Sequence, residues 1–320
     1  MSDSAPTPLP DWAGGPAGPA VPGDGAPSAP PVATGVIASS PQMLAGVGGP
    51  GIYEVVRLAL AEDLGDLGDV TAQVIIPDRA TATAVLVPRS AGVLAGRAAA
   101  EEVLRQCGLR GEWTAQDGDA LTAGTAIATI AGPARALLAA ERTMLNLVCH
   151  LSGIATMARA FVDACAPAQV LDTRKTTPML RDLEKAAVAA GGGTNHRRGL
   201  SDRVLVKDNH LAIAGGALAD AVRAARGRWP DLLVEVEADD LDGVRAALDA
   251  GADWILLDNM DDDHLRQAVA LVAGRARLEA SGGMNLQRAA AAAACGVDAV
   301  SVGALTHSAP ALDLGLDIRS

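Results

Sequence analysis

A strand–helix unit that repeats from Val170 onward constrains this chain more than anything else in it. Short apolar runs stand at Val170-Leu171, Val204–Val206, Leu232–Val236, Trp254–Leu257, Ala276–Leu278 and Ala299–Val302. Between them, apolar spacing predicts helices near Pro178–Ala190, Gly216–Arg226, Leu241–Ala250, Asp262–Val272 and Leu286–Cys295. Strands that alternate with helices through short connections pair in parallel, with right-handed crossovers. Continuously apolar strands wrapped by amphipathic helices point to a TIM-like α/β barrel rather than an open sheet. The last four strand starts recur every 21–23 residues, which is tight for a barrel and predicts a compact or incomplete one.

Each strand ends in polar or glycine residues: Asp172-Thr173-Arg174-Lys175, Lys207-Asp208-Asn209-His210, Glu237, Asp258-Asn259, Glu279-Ala280-Ser281-Gly282-Gly283 and Gly303. Barrel enzymes build their sites on that rim, with phosphate held by the last two loops. Those loops carry Ser281-Gly282-Gly283 and Gly303, whose backbone N–H groups can approach an anion closely. Charge agrees. The chain has 26 basic and 38 acidic side chains, a net of −12, yet Asp172–Lys207 holds eight Lys/Arg against four Asp/Glu. A basic island in an acidic protein marks an anion site.

Composition removes other classes. The acidic balance and the near absence of Phe and Tyr argue against a nucleic-acid partner. No run of about 18 apolar residues predicts a membrane span. Cys107, Cys149, Cys165 and Cys295 have no metal-ligand spacing and read as free thiols in a reducing cytoplasm. Residues 1–50 hold 11 of the 18 prolines, show no strand or helix period and lack a secretory signal pattern, which predicts a disordered tail. Residues 52–64 carry a helical stripe, the acidic 62–69 stretch reads as a solvated loop, and a strand is expected to start at Val70. A strand over Thr81–Pro88, a helix over Arg97–Cys107 and short strands within Trp113–Ile130 complete a small α/β module. A long helix is then expected from Ala134 to about Ala164, with a possible break at Ser152-Gly153.

Arg174, Lys175, His196, Arg197 and Lys207 can bind several negative charges, Arg by bidentate pairing and Lys as a point charge. Glu237 and Asp258, on adjacent strand ends, can hold Mg²⁺ or grip sugar hydroxyls. Alternatives stay open at this level. Arg142 reads as an exposed helix charge, His210 as a buried imidazole, and Glu237 and Asp258 as structural partners of the lysines. A Schiff-base aldolase using Lys175 or Lys207, or a non-catalytic anion binder, also fits.

The strings DTRKTTPMLRDLEK at 172–185 and GGGTNHRRGLSDRVLVKDNH at 191–210 resemble the signature of quinolinate phosphoribosyltransferases. ALAEDLGDLGDVTA at 59–72, ERTMLNLVCHLSGIAT at 141–156, EVE at 235–237, ILLDNM at 255–260, EASGG at 279–283 and VGALTHS at 302–308 extend the likeness over residues 51–318. The resemblance implies an N-terminal α/β sandwich over 51–140, joined by the segment 309–320, and an incomplete TIM-like barrel over 141–308. It implies conversion of quinolinate and 5-phosphoribosyl-1-pyrophosphate, with Mg²⁺, to nicotinate mononucleotide, pyrophosphate and CO₂ in NAD synthesis. It further implies a homodimer, or a higher oligomer built from it, in which Arg142 enters the neighbour's site. Arg142, Thr173, Arg174, His196 and Arg197 would then hold quinolinate. Lys175 and Lys207 would lie at the pyrophosphate and reacting centre, Glu237 and Asp258 at ribose and Mg²⁺, and Ser281, Gly282, Gly283 and Gly303 at the 5′-phosphate. It also leads one to expect a glycine near Met179 and an aromatic near Ala186.

Overall fold

The structure, a computed structural model, describes residues 51–319, so the expected tail of residues 1–50 lies outside it. Two helices open the chain, α1 (Ile52–Leu64) and α2 (Val70–Ile75). Val70 therefore starts a helix, not the expected strand: the Asp69 carboxylate accepts the Ala72 amide and caps it at the N-terminus. Strands β1 (Thr81–Pro88) and β2 (Gly92–Val93), helix α3 (Arg97–Gln106), and strands β3 (Arg110–Trp113), β4 (Ala120–Leu121) and β5 (Ala128–Pro133) follow. The long α4 (Ala134–Cys165) leads to β6 (Gln169–Leu171) and α5 (Arg181–Ala190).

The repeat runs on through β7 (Val204–Val206), α6 (Asp208–Ala214), α7 (Leu218–Arg228), β8 (Val234–Ala238) and α8 (Leu241–Asp249). It ends with β9 (Trp254–Asp258), α9 (Asp262–Val272), β10 (Arg277–Ser281), α10 (Leu286–Ala294), β11 (Ala299–Ser301) and α11 (Ala304–His307). A last strand, β12 (Leu314–Arg319), closes the chain. The six strands of the repeat form one parallel sheet in the order β6-β11-β10-β9-β8-β7, while β12-β1-β5-β3 form an antiparallel sheet. Among the described residues β6 and β7 are not paired to each other, so the curved sheet is an incomplete barrel.

Strand alternation sorts the side chains. Val234, Val236, Ile255, Leu257, Leu278, Ala280 and Val300 are buried among apolar neighbours. The intervening residues, Glu235, Glu237, Asp258, Glu279 and Ser281, face the other side, inside the curve. β12 hydrogen-bonds to β1 with Thr83 opposite Arg319, which carries the C-terminus back to the N-terminal sheet.

Helix α4 is unbroken at Ser152-Gly153. Ser152 Oγ meets both the Ala95 amide and the Ala95 carbonyl, and Thr156 Oγ1 accepts the Val93 amide, so small polar residues dock the N-terminal layer onto the helix. At Gly153 a Cβ would overlap the Pro310 carbonyl oxygen. Gly153→Ala is expected to cost about 1–3 kcal/mol, read as a lower denaturant midpoint at unchanged slope. By length and mean hydropathy (1.3), α4 could cross a membrane, but 56% of that apolar window is buried inside the protein. The cysteines are all free.

Candidate active site

The basic island resolves into paired and unpaired charges. Lys185 pairs with Asp172, Arg198 with Asp182, Arg203 with Glu235 and Lys207 with Glu237. Eight cations less these four leave Arg174, Lys175, Arg181 and Arg197 without an acidic partner among the described residues. Arg181 instead donates to Thr176 Oγ1 and to the carbonyls of Arg198 and Arg174, fixing the loop between them.

Arg174 and Arg197 lie close enough to repel each other. Burial and the Arg174 charge hold the Arg197 guanidinium below its ordinary value. The Arg174 Nε is buried with no hydrogen-bond partner. Both line a cavity of about 660 Å³ together with Lys207 and Arg203, whose other wall is apolar, from Leu200, Trp229 and Leu232. Such a cavity suits a flat apolar ring bearing negative groups.

The remaining expected residues stand at or just beyond the carboxyl ends of the same parallel strands. Lys207 Nζ contacts Glu237. On the next strand, Asp258 stands opposite Ser281 in register. Thr173 Oγ1 accepts the Lys175 amide at 3.0 Å, and the Lys175 carbonyl accepts from Thr306 Oγ1 at 2.9 Å, so the lysine loop is pinned at both ends. Gly303 adjoins the Lys175 side chain: an added Cβ would sit 3.1 Å from Lys175 Cδ and 3.1 Å from His307 Nε2. Gly303 has φ −64, open to any residue, so Gly303→Ala probes space alone. We expect unchanged thermal stability and a kcat roughly tenfold lower, because Lys175 must give way.

Gly282 needs its freedom. It has φ 97, and a Cβ there would overlap Asn259 Oδ1. Asn259 is itself left-handed at φ 55, and its Nδ2 donates to Asp258 Oδ2 at 2.8 Å, which orients that carboxylate.

Two histidines stand elsewhere than expected. His196, expected to touch carboxylates of a ligand, turns into the barrel interior with its side chain 7% exposed. Its Nδ1 accepts the Arg197 amide at 2.7 Å, so its proton sits on Nε2, which faces Glu235 at 3.1 Å and Glu279 at 3.2 Å. Burial would raise Glu235, but His196 and Arg203 hold it below the usual carboxylate range; burial and the Glu235 charge push Glu279 above it. Arg203 NH1, 3.1 Å from Glu235 and 3.3 Å from His196 Nε2, already supplies the cation that this trio could otherwise take from a metal. His210 is exposed, not buried, and its Nδ1 accepts the Lys207 amide at 3.0 Å. Arg142 is exposed on α4 and does not line its own chain's cavity.

Lys185, Arg203 and Glu235 were not anticipated at the site, while Asp172 and Glu279 were read as strand-end polar groups without an assigned role. For Glu235 a signal existed: in Glu235-Val236-Glu237 the two acids alternate onto one face. Met179 has φ 69, which accounts for the glycine expected at that position.

An incomplete barrel whose strand ends gather unpaired cations, two acids and two glycine loops defines an enzyme for a phosphorylated, multiply anionic substrate. Comparison with known proteins gives the family. Residues 69–152 match the N-terminal domain of quinolinate phosphoribosyl transferase, and residues 154–317 match its C-terminal domain. The chain belongs to the quinolinate phosphoribosyl transferase family. It is similar to a nicotinate-nucleotide pyrophosphorylase [carboxylating] of Mycobacterium leprae, with 47% identity over 83% of this chain and 96% of the relative. Among solved structures it resembles the nicotinate-nucleotide pyrophosphorylase of Francisella tularensis (38% identity, TM-score 0.79, 84% and 96% of the two chains). NadC from Streptococcus pyogenes is similar too (40% identity, TM-score 0.79, 84% and 97%).

Proposed function

We propose that this protein converts quinolinate and 5-phosphoribosyl-1-pyrophosphate to nicotinate mononucleotide, pyrophosphate and CO₂, as a homodimer. The observation that carries this reading is the Arg174–Arg197 pair: two guanidiniums that repel each other, one with an orphaned buried Nε, around an apolar-walled cavity. A pyridine dicarboxylate supplies the missing charge and fills the flat space between. A partner's Arg142 would add a third cation from above.

The ring nitrogen of the bound dianion attacks C1′ of the phosphoribosyl donor. Its lone pair forms the N–C1′ bond as the C1′–O bond breaks and that pair leaves with pyrophosphate. Lys175 and Lys207 stabilise the departing charge. The ring nitrogen is now cationic, so the C2–carboxylate bond can break with its electrons held beside that nitrogen. CO₂ leaves and C2 takes a proton from solvent, so no side-chain base is needed. Glu237 and Asp258 offer two carboxylates from adjacent strands on one face, the hard oxygen donors that Mg²⁺ prefers while keeping other positions for substrate and water. Bound there, Mg²⁺ would neutralise charge on the pyrophosphate. Ser281, Gly282, Gly283 and Gly303 would receive the 5′-phosphate.

Purified protein incubated with quinolinate, phosphoribosyl pyrophosphate and Mg²⁺ is expected to form nicotinate mononucleotide, followed by chromatography. Nicotinate in place of quinolinate should give none. A folded sample that forms no product from quinolinate overturns the reading.

A further inference from the structure

The mechanism uses Arg174 and Arg197 but leaves unused a buried ion pair directly behind them. Asp172 and Lys185 are 0% and 3% exposed. Asp172 lies at the end of β6 on the face turned away from the cavity, against α5, which carries Lys185. Its carboxylate is fully engaged. Oδ1 accepts from Lys185 Nζ at 2.5 Å and from the His196 amide at 2.8 Å. With its amide nitrogen turned toward its two acceptors, Asn195 donates to Asp172 Oδ2 at 2.7 Å and to the Lys185 carbonyl at 2.9 Å. Lys185 Nζ also reaches the His196 carbonyl at 3.1 Å.

Residues 195–197 belong to no helix or strand, so side chains fix their backbone, among them the buried His196 ring that accepts the Arg197 amide. Thr194 does touch β6, through the Thr194 amide to the Val170 carbonyl at 2.8 Å and the Asp172 amide to the Thr194 carbonyl at 3.3 Å. Beyond that point the Asp172 side chain and Lys185 hold the loop from the α5 side, and the His196 ring holds it from the barrel side. One carboxylate therefore addresses both arms of the arginine pair. Arg174 follows Asp172 by two residues along the same segment, and Arg197 follows the His196 amide that Asp172 holds.

Two like-charged guanidiniums would drift apart if their loops could move. We propose that Asp172 and Lys185 are positioning residues that fix the spacing of Arg174 and Arg197, and thereby the enzyme's affinity for a dicarboxylate as distinct from its affinity for the phosphoribosyl donor. The inference rests on the reading of the cavity as a dicarboxylate site. Lys185 is the counter-ion that keeps Asp172 tolerable in a dry setting; the carboxylate oxygens do the holding.

Two double variants separate positioning from charge burial, because neither leaves a buried charge. Asp172→Asn/Lys185→Met keeps an oxygen to accept the His196 amide and gives up only the bond from Asn195, whose amide nitrogen stays on the residue-185 carbonyl. Asp172→Ala/Lys185→Met removes that acceptor. Dissociation constants for quinolinate and for phosphoribosyl pyrophosphate would be measured separately by calorimetry, well below each variant's melting temperature. The Asn pair is expected to keep quinolinate affinity within threefold of wild type. The Ala pair is expected to lose at least tenfold for quinolinate while its affinity for the phosphoribosyl donor changes less than threefold. Equal losses for the two ligands, or none, would show a role in general stability and overturn the inference. Wild-type protein that binds phosphoribosyl pyrophosphate but not quinolinate would instead overturn the dicarboxylate reading itself, and the inference with it.

Discussion

Replacing Arg197 by Met is expected to remove quinolinate binding and, in the same molecule, to raise the melting temperature. The two effects have one cause. In the free protein the Arg197 guanidinium is partly buried, has no acidic partner among the described residues and faces Arg174, which together hold it below its ordinary value. Methionine keeps the apolar stem that packs against the cavity wall and deletes the repelled charge. With ligand the sign reverses. A charge-assisted, bidentate guanidinium–carboxylate contact is worth about 3 kcal/mol, so KM for quinolinate should rise on the order of a hundredfold. KM for the phosphoribosyl donor should move little. The pair of measurements is a melting curve without ligand and initial rates with each substrate varied. A lower melting temperature with unchanged KM would mean that Arg197 is a structural charge, and the cavity reading would fail with it.

Activity regained by mixing two dead proteins is the second large effect. Arg142→Ala and Lys175→Ala are each expected to fall by at least about a hundredfold, because each removes a positioned cation from the site. Arg142 stands exposed on α4 away from its own cavity, whereas Lys175 sits in its own chain's mouth beside Gly303. If a second copy supplies Arg142, a mixed dimer of the two variants holds one site with both defects and one with neither. Random reassortment should then restore about a quarter of wild-type activity, as a two-fold arrangement requires. Confirmed heterodimers with no recovery would place Arg142 in its own chain's site or outside both.

The sequence made the barrel legible for a physical reason. Buried parallel strands must be apolar on the face that meets the helices, and that half of the pattern survives in every repeat from Val170 to Val302. Thr81–Pro88, Val204–Val206 and Asp262–Val272 were placed to the residue. Val70 went wrong because a one-residue cap at Asp69 outweighed the β-branched pair that follows it. The rim cations were visible as an excess of charge, but charge counting cannot say which of them are already paired. Four of the eight are, and they are partnered by acids distant in sequence, such as Arg203 with Glu235. His196 was misplaced for the same reason. Its place in the basic island suggested a ligand contact, whereas the acids that draw it inward lie on β8 and β10.

The return of β12 to β1 bears on how the molecule assembles. The antiparallel sheet of the N-terminal layer gains its outer strand only when residues 314–319 arrive, after every barrel strand has been made. Just before that strand, the Leu312 amide ties to the Cys149 carbonyl of α4. Pairing between such distant segments is slow to form and hard to form in part. During synthesis, then, the first layer to leave the ribosome must wait for the last strand. The two layers should consequently melt as one unit, and a chain cut short before Leu314 should lose its N-terminal sheet together with its end.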